Sequence, residues 1–197
     1  MSGSHENLEH AEHAQHASHR NKNIALLIAV IALFLAFSET LGKSAQTNAI
    51  SHNVEASDLW AFFQAKTIRT TVIATAAESI EAGAAAVSDA PARRQMEIRV
   101  DQWRKTVARY NDEPETGEGR KQLVARAKAA EHNRDTAMAR YHHYEVASAA
   151  FQIGIVLSSA AIITGMMMLA WLAGGLTLAG LAFTAIGFFA PHAVHLL

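Results

Sequence analysis

Hydrophobic and polar positions are strongly segregated along this chain of 197 residues. Residues 151–197 contain no Asp, Glu, Lys or Arg. At about 1.5 Å per residue, a helix over 151–172 spans ~33 Å, close to the ~30 Å hydrocarbon core of a bilayer. We expect Gly174 and Gly175 to break this run. The pattern therefore predicts two transmembrane helices, at 146–173 and 176–197.

A further apolar run occupies residues 24–37, directly after Arg20 and Lys22. Fourteen residues are short for a crossing, but 23–42 is long enough, so we predict a transmembrane helix there. An interfacial or signal-anchor-like segment is the alternative. Glu39 then lies near the far interface, where a carboxylate costs less than at the bilayer centre. A membrane carboxylate is a candidate functional group, although this position favours a hydrated one.

Residues 43–145 are polar but patterned, and we predict that they form a helical extramembrane stalk. No proline or glycine interrupts 43–82, whereas 83–91 and 111–119 hold glycine, proline and acidic residues that end helices. A helical stripe of small and apolar residues follows the first part of the stalk, at Ala61, Ala65, Ile68, Val72 and Ala76. The neighbouring cluster Leu59, Trp60, Phe62 and Phe63 suits either packing between helices or a lipid-headgroup belt.

The middle of the stalk carries an a/d seam over two heptads. Its residues alternate in steps of four and three, at Met96, Val100, Trp103, Val107 and Tyr110. Such a seam predicts packing against a partner, which is the 49–82 helix, the 118–145 helix or another subunit. The basic residues on the same helix are read as a solvated or salt-bridged face.

Small residues recur every three or four positions in the second predicted crossing, at Gly154, Ser158, Ala161 and Gly165. Residues of this size let helices approach closely in lipid. The spacing predicts tight helix packing, either within the chain or between chains.

The polar leader, residues 1–22, is rich in histidine. His10, His13, His16 and His19 recur at every third position, and glutamates precede three of them by four residues. Imidazole and carboxylate groups at this spacing can chelate a divalent metal, which makes these histidines a weak candidate site. A solvated helix, a pH response and contact with lipid headgroups are the alternatives.

Composition excludes several other classes of function. The formal net charge is −1, which gives no reason to expect a nucleic-acid partner. The chain has no cysteine, so disulfides and thiolate chemistry are excluded. We find no nucleophile–base pair, phosphate loop or catalytic metal motif, and we therefore predict no enzymatic activity and no cofactor.

The segment EHAEHAQHASHR, a short apolar run and the segment NVEASDLWAFFQAKTIR together resemble a bacterial family known as domain of unknown function 4337. The resemblance extends to the C-terminal apolar hairpin and so covers nearly the whole chain. It implies a small, helical, multi-pass protein of the bacterial inner membrane. It implies no activity and no functional residues.

The resulting expectation is an all-α membrane protein with three transmembrane helices and a long helical hairpin between the first and second. We expect a structural or scaffolding protein that forms a homo-oligomer through its stalk and through small-residue membrane faces. A metal-binding protein that uses the leader, and an oligomeric channel or transporter, are the alternatives. The positive charges near the ends of the predicted crossings favour opposite orientations of the chain in the membrane. Their balance slightly favours a cytoplasmic stalk.

Overall fold

The structure, a computed structural model, describes the backbone of residues 3–194 and the side chains of residues 21–194. Residues 3–194 contain four helices and no strand, which confirms the all-α class. The helices are α1 (Gly3–Ala84), α2 (Ala90–Asn111), α3 (Arg120–Thr164) and α4 (Met167–Phe189). Three of them, α1, α3 and α4, are long and apolar enough to cross a membrane.

The chain divides into two compact units. The first, here called the apolar unit, comprises Met1–Asn48 and Thr136–Leu197. The second, called the stalk unit, comprises Ala49–Asp135 and is shorter at both ends than the predicted 43–145 segment. Both α1 and α3 contribute residues to each unit.

Both breaks predicted for the stalk are present. Helix α1 ends at Ala84, and α2 begins at Ala90 with Pro91 in its first turn. Proline suits this position because the first N–H groups of a helix have no intrahelical partner. The second break separates Asn111 from Arg120, as the run of acidic residues, proline and glycine indicated.

The break between the last two helices lies elsewhere than predicted. Gly174 and Gly175 are inside α4, and the turn is at Gly165, so the expected boundaries 146–173 and 176–197 are wrong. Gly165 takes a φ of 71°, and its N–H donates to Ala161 O over 3.0 Å. A glycine with left-handed φ and this hydrogen bond ends a helix, whereas a glycine with helical φ does not.

The core of the apolar unit follows a seven-residue repeat on two helices. Every seventh residue is buried, at Ile24, Ile31, Ser38 and Ala45 on α1 and at Ala137, Tyr144, Phe151 and Ser158 on α3. This spacing keeps one face of each helix against its neighbours, as in a coiled coil. Several members are small, so the repeat is barely visible as a hydrophobic pattern.

Helices α3 and α4 approach closely at Gly180. The Phe151 ring lies over this glycine so tightly that an added Cβ would be 2.7 Å from Phe151 Cε1. Phe151 is fully buried and also stacks on Phe34 of α1, with ring centroids 6.2 Å apart. One aromatic ring therefore contacts both of the other helices in the unit.

The core of the stalk unit is rich in alanine. It consists of one cluster from α1 and α3, formed by Ala56, Leu59, Leu123, Ala127 and Ala130. Trp60 and Phe63 pack against this cluster, and Trp60 Nε1 donates a 2.9 Å hydrogen bond to Glu131. These aromatic residues thus pack between helices, while Phe62 remains partly exposed.

Lys66 of α1 ties the α2–α3 loop to the stalk unit. Lys66 is buried, with only 5% of its surface exposed. Its Nζ lies 3.2 Å from Glu113 Oε2 and donates a hydrogen bond to Glu118 O. The rings of Phe62 and Tyr110 each lie 5.4 Å from the same nitrogen, measured to their centroids. A buried ammonium needs such partners because its desolvation is costly.

The same loop is held to the start of α3. Hydrogen bonds from Gln122 and Lys121 lower the pKa of the Asp112 carboxyl below its ordinary value. Because the folded-state pKa is lowered, this carboxylate stabilises the loop above its ordinary pKa of about 3.9. The contribution is lost as the pH falls through the lowered folded-state value.

The Phe151–Gly180 contact yields a matched pair of variants. Gly180→Leu forces a side chain against the Phe151 ring and should destabilise the protein by ~1–3 kcal/mol, as overpacking does. Gly174→Leu adds the same side chain on the same helix where an added Cβ meets no atom within 4 Å. Thermal unfolding in detergent, followed by circular dichroism, should show a lower midpoint for Gly180→Leu alone. Equal midpoints for the two variants would contradict this packing.

Candidate self-association surface

The predicted α2 seam is turned into the stalk unit. Val100 is buried, and the other four seam residues, Met96, Trp103, Val107 and Tyr110, are half-buried in the single chain. Helix α2 packs on the end of α1, where Arg104 lies 2.5 Å from Glu81. Of the three partners considered for the seam, α1 is the one that contacts it here, since the Tyr110 ring lies 5.4 Å from Lys66 Nζ of α1. The seam is therefore largely covered within one chain.

A different face of the stalk unit leaves apolar side chains exposed. On α1, Ile68 and Val72 are 65% and 62% exposed, and Val54 is 54% exposed. Ile68 and Val72 belong to the stripe found in the sequence, whereas Val54 extends it toward the start of the helix. We define the outer stripe as Val54, Ala61, Ala65, Ile68 and Val72. It lies away from the α1 residues that form the core.

The outer stripe follows heptad spacing with one polar interruption. Its positions run 54, 58, 61, 65, 68 and 72, in alternating steps of four and three. Asp58 occupies the second position and is exposed. Glu55 and Arg69 flank the stripe on one side, fourteen residues apart and therefore at equivalent positions. A contact along this stripe would thus bring charges of both signs to its edge.

The small residues of the second predicted crossing pack within the chain. Gly154, Ser158 and Ala161 are buried, and an added Cβ at Gly154 would lie 3.5 Å from Ala173 O of α4. Gly165 belongs to the turn between the two helices. The face that these residues form on α3 is therefore occupied by neighbouring helices of the same molecule.

Large apolar side chains cover the outside of the apolar unit. They include Leu26, Leu33 and Phe37 of α1, Ile153, Val156 and Ile163 of α3, and Leu172 and Leu178 of α4. Aromatic residues stand near both ends of α4, with Trp171 78% exposed near its start and Phe189 82% exposed at its end. An outer surface of this kind is typical of a helix bundle in lipid.

Several polar side chains of the apolar unit are paired among the residues that the structure describes. Ser38 donates a hydrogen bond of 3.1 Å to Tyr144 O, and His143 Nε2 lies 3.0 Å from Pro191 O. Glu39 is exposed and accepts a 3.3 Å hydrogen bond from Gln152. Because Gln152 also lies in the apolar stretch, this pair forms a polar spot on the surface of the unit.

The candidate metal ligands His10, His13, His16 and His19 lie outside the residues whose side chains the structure describes. Among residues 21–194, no three His, Asp or Glu side chains are grouped so that they could hold a metal ion. Metal binding by the leader therefore stays a prediction.

Comparison with protein families matches residues 20–190 to the family described as domain of unknown function DUF4337. The chain belongs to this family. Its description states no activity. Searches of curated proteins and of solved structures gave no match.

Sequence reasoning missed two features of the stalk. Lys66 and Glu113 are 47 positions apart, so their pairing depends on the folded arrangement of α1 and the loop. One signal for this pairing was present in the sequence, because Lys66 follows the apolar cluster of Leu59, Trp60 and Phe63 by one helical turn. The sequence also showed the stripe from Ala61 to Val72 without revealing whether it faces the core or solvent, and it did not show that Val54 extends this stripe.

Val100 and Ile98 allow a test of which face of α2 is covered. Val100→Asp places a carboxylate in the buried seam and should destabilise the stalk unit by about 3 kcal/mol. Ile98→Asp introduces the same charge at a side chain that is 44% exposed and should have little effect. Tryptophan fluorescence during thermal unfolding, in chains whose Trp171 is replaced by Phe so that only Trp60 and Trp103 contribute, would report the difference. A larger loss of stability for Ile98→Asp would mean that the seam faces outward.

Proposed function

We propose that this protein is a non-enzymatic, multi-pass membrane scaffold that self-associates through its stalk unit. Helices α1, α3 and α4 cross the bacterial inner membrane, and the stalk unit lies on its cytoplasmic side. The length and apolar composition of the three helices support the crossings. The apolar outer surface and the aromatic residues near both ends of α4 support them as well.

The observation that carries the self-association is the exposed outer stripe of α1. Apolar side chains that follow heptad spacing on a helix surface are the contacts of helical oligomers. The α2 seam and the small residues of α3 are less suited to this role because the chain itself covers them. We therefore assign the contact to a second copy of the same stripe.

The charges beside the stripe favour an antiparallel pair. In the register that places Val54 of one copy on Val72 of the other, Ala61 lies on Ala65, and Glu55 comes next to Arg69. Two-fold symmetry makes each of these contacts twice. A parallel pair would instead set Asp58 against Asp58, which is unfavourable for like charges. Because α1 is a single helix from the first crossing to the stripe, an antiparallel pair places the crossings of the two copies at opposite ends and therefore joins two facing membrane surfaces.

The stripe is short, extending from Val54 to Val72, so a single pair of stripes binds weakly. The polar Asp58 weakens the stripe further because it opposes Ile68 of the second copy. Replacement of this residue should therefore strengthen the association.

Light scattering of the detergent-purified protein tests the role of the stripe. Val72→Asp should convert an oligomer to the mass of one 21.3 kDa chain plus detergent, and Asp58→Leu should raise the oligomer fraction. Ile98→Asp adds the same charge to the stalk unit away from the stripe and serves as the control. An oligomer that persists in Val72→Asp, or a wild-type chain that is monomeric, would overturn the proposal.

Because the chain has no cysteine, cross-linking of introduced cysteines can test whether the two stripes run parallel or antiparallel. A mixture of Val54→Cys and Val72→Cys chains should form disulfide-linked pairs of unlike chains if the stripes are antiparallel. Val54→Cys alone should then cross-link poorly. Efficient self-cross-linking of Val54→Cys would show a parallel pair and would contradict the arrangement of charges argued above.

A further inference from the structure

A cleft in the apolar unit combines one cation with polar and apolar side chains. It has a volume of about 350 Å³ and lies between α1 and α3 beside the end of α4. Its polar lining comes from Ser44, Asn48 and Arg140, and its apolar lining includes Leu41 and Phe188. Such a mixture suits a ligand that has an anionic group next to an apolar part.

Among the described residues that line this cleft, Arg140 is the only cation. It is exposed and forms no ion pair with any residue that the structure describes. A guanidinium presents several N–H groups in a fixed plane, which match the oxygens of a phosphate. Ser44 and Asn48, one turn apart on α1, add a hydroxyl and an amide that can donate hydrogen bonds to the same group.

The cleft lies just beyond the apolar parts of its helices. On α1, Leu41 follows the apolar run 24–37 by one turn, and on α4, Phe188 is next to the last helical residue. If the three helices cross a bilayer, as proposed above, this level coincides with lipid headgroups. The inference that follows rests on that membrane placement.

The geometry points to a binding site for the phosphodiester headgroup of an anionic phospholipid. Arg140 contacts the phosphate, assisted by Ser44 and Asn48, while Phe188 and Leu41 contact the glycerol and the first acyl carbons. A free phosphate would use only the polar part of the cleft. The apolar lining therefore favours a lipid over inorganic phosphate as the occupant.

Native mass spectrometry of the full-length protein in detergent can test this site with short-chain lipids. Dioctanoyl phosphatidylglycerol should bind more tightly than dioctanoyl phosphatidylcholine. Arg140→Gln should weaken phosphatidylglycerol binding roughly fivefold, the effect of one cation near an anionic lipid surface. Arg94→Gln removes the same charge from an exposed position on α2 and should leave binding unchanged.

A second pair of variants and a phosphate control separate a lipid site from a simple anion site. Phe188→Ala should weaken phosphatidylglycerol binding, whereas Phe189→Ala, at the neighbouring residue outside the cleft, should not. Inorganic phosphate should bind far more weakly than the lipid. Equal binding of both lipids, equal effects of Arg140→Gln and Arg94→Gln, or binding of phosphate as tight as that of the lipid would overturn the proposal.

The failure of this inference can be told apart from the failure of the proposed function. The same spectra report how many chains and how many lipids each complex contains. A monomer that still prefers phosphatidylglycerol would refute the scaffold and keep the lipid site. An oligomer with no lipid preference would refute the lipid site and keep the scaffold. Resistance of the expressed protein to carbonate extraction checks the membrane placement independently.

Discussion

The contact of the Phe151 ring with Gly180 is the constraint on which the apolar unit depends. A larger residue at Gly180 would push α4 away from α3, and the ring would then lose its buried position against Phe34 of α1. The contact also explains why the small residues of α3 are covered. Once the helices approach this closely, Gly154 and Ser158 face neighbours within the chain, and large apolar side chains remain outside.

The core of the stalk unit has smaller apolar side chains than the core of the apolar unit. Its core contains three alanines and two leucines, so each buried side chain contributes little, and Lys66 provides an additional tie to the α2–α3 loop. An alanine-rich core allows the helices to lie close together, but it does not use every apolar residue of α1. Ile68 and Val72 are left on the outside, and their exposure is the physical basis for the proposed contact between copies.

The two glycine positions in the C-terminal region show where sequence reasoning was limited. Gly165 and the pair Gly174–Gly175 are both compatible with a helix break when only the residue types are known. The outcome depends on backbone conformation, since Gly165 adopts a positive φ and Gly174 and Gly175 remain helical. An apolar environment favours continuation because unpaired backbone groups are costly there. The heptad repeat of α3 was also not recognised in the sequence. Its buried members range in size from Ala137 to Phe151, so they do not form a uniform hydrophobic pattern.

The sequence by itself determined the helical class, the three apolar helices, both breaks of the stalk and membership of the family. These features follow from local properties, namely the absence of charge, the absence of helix breakers and the position of Pro91. Only the tertiary structure decided which stripes are covered, because a helix has several apolar faces and its neighbours select among them. That selection buried Val100 and exposed Val72, and it placed Arg140 beside Phe188 in one cleft.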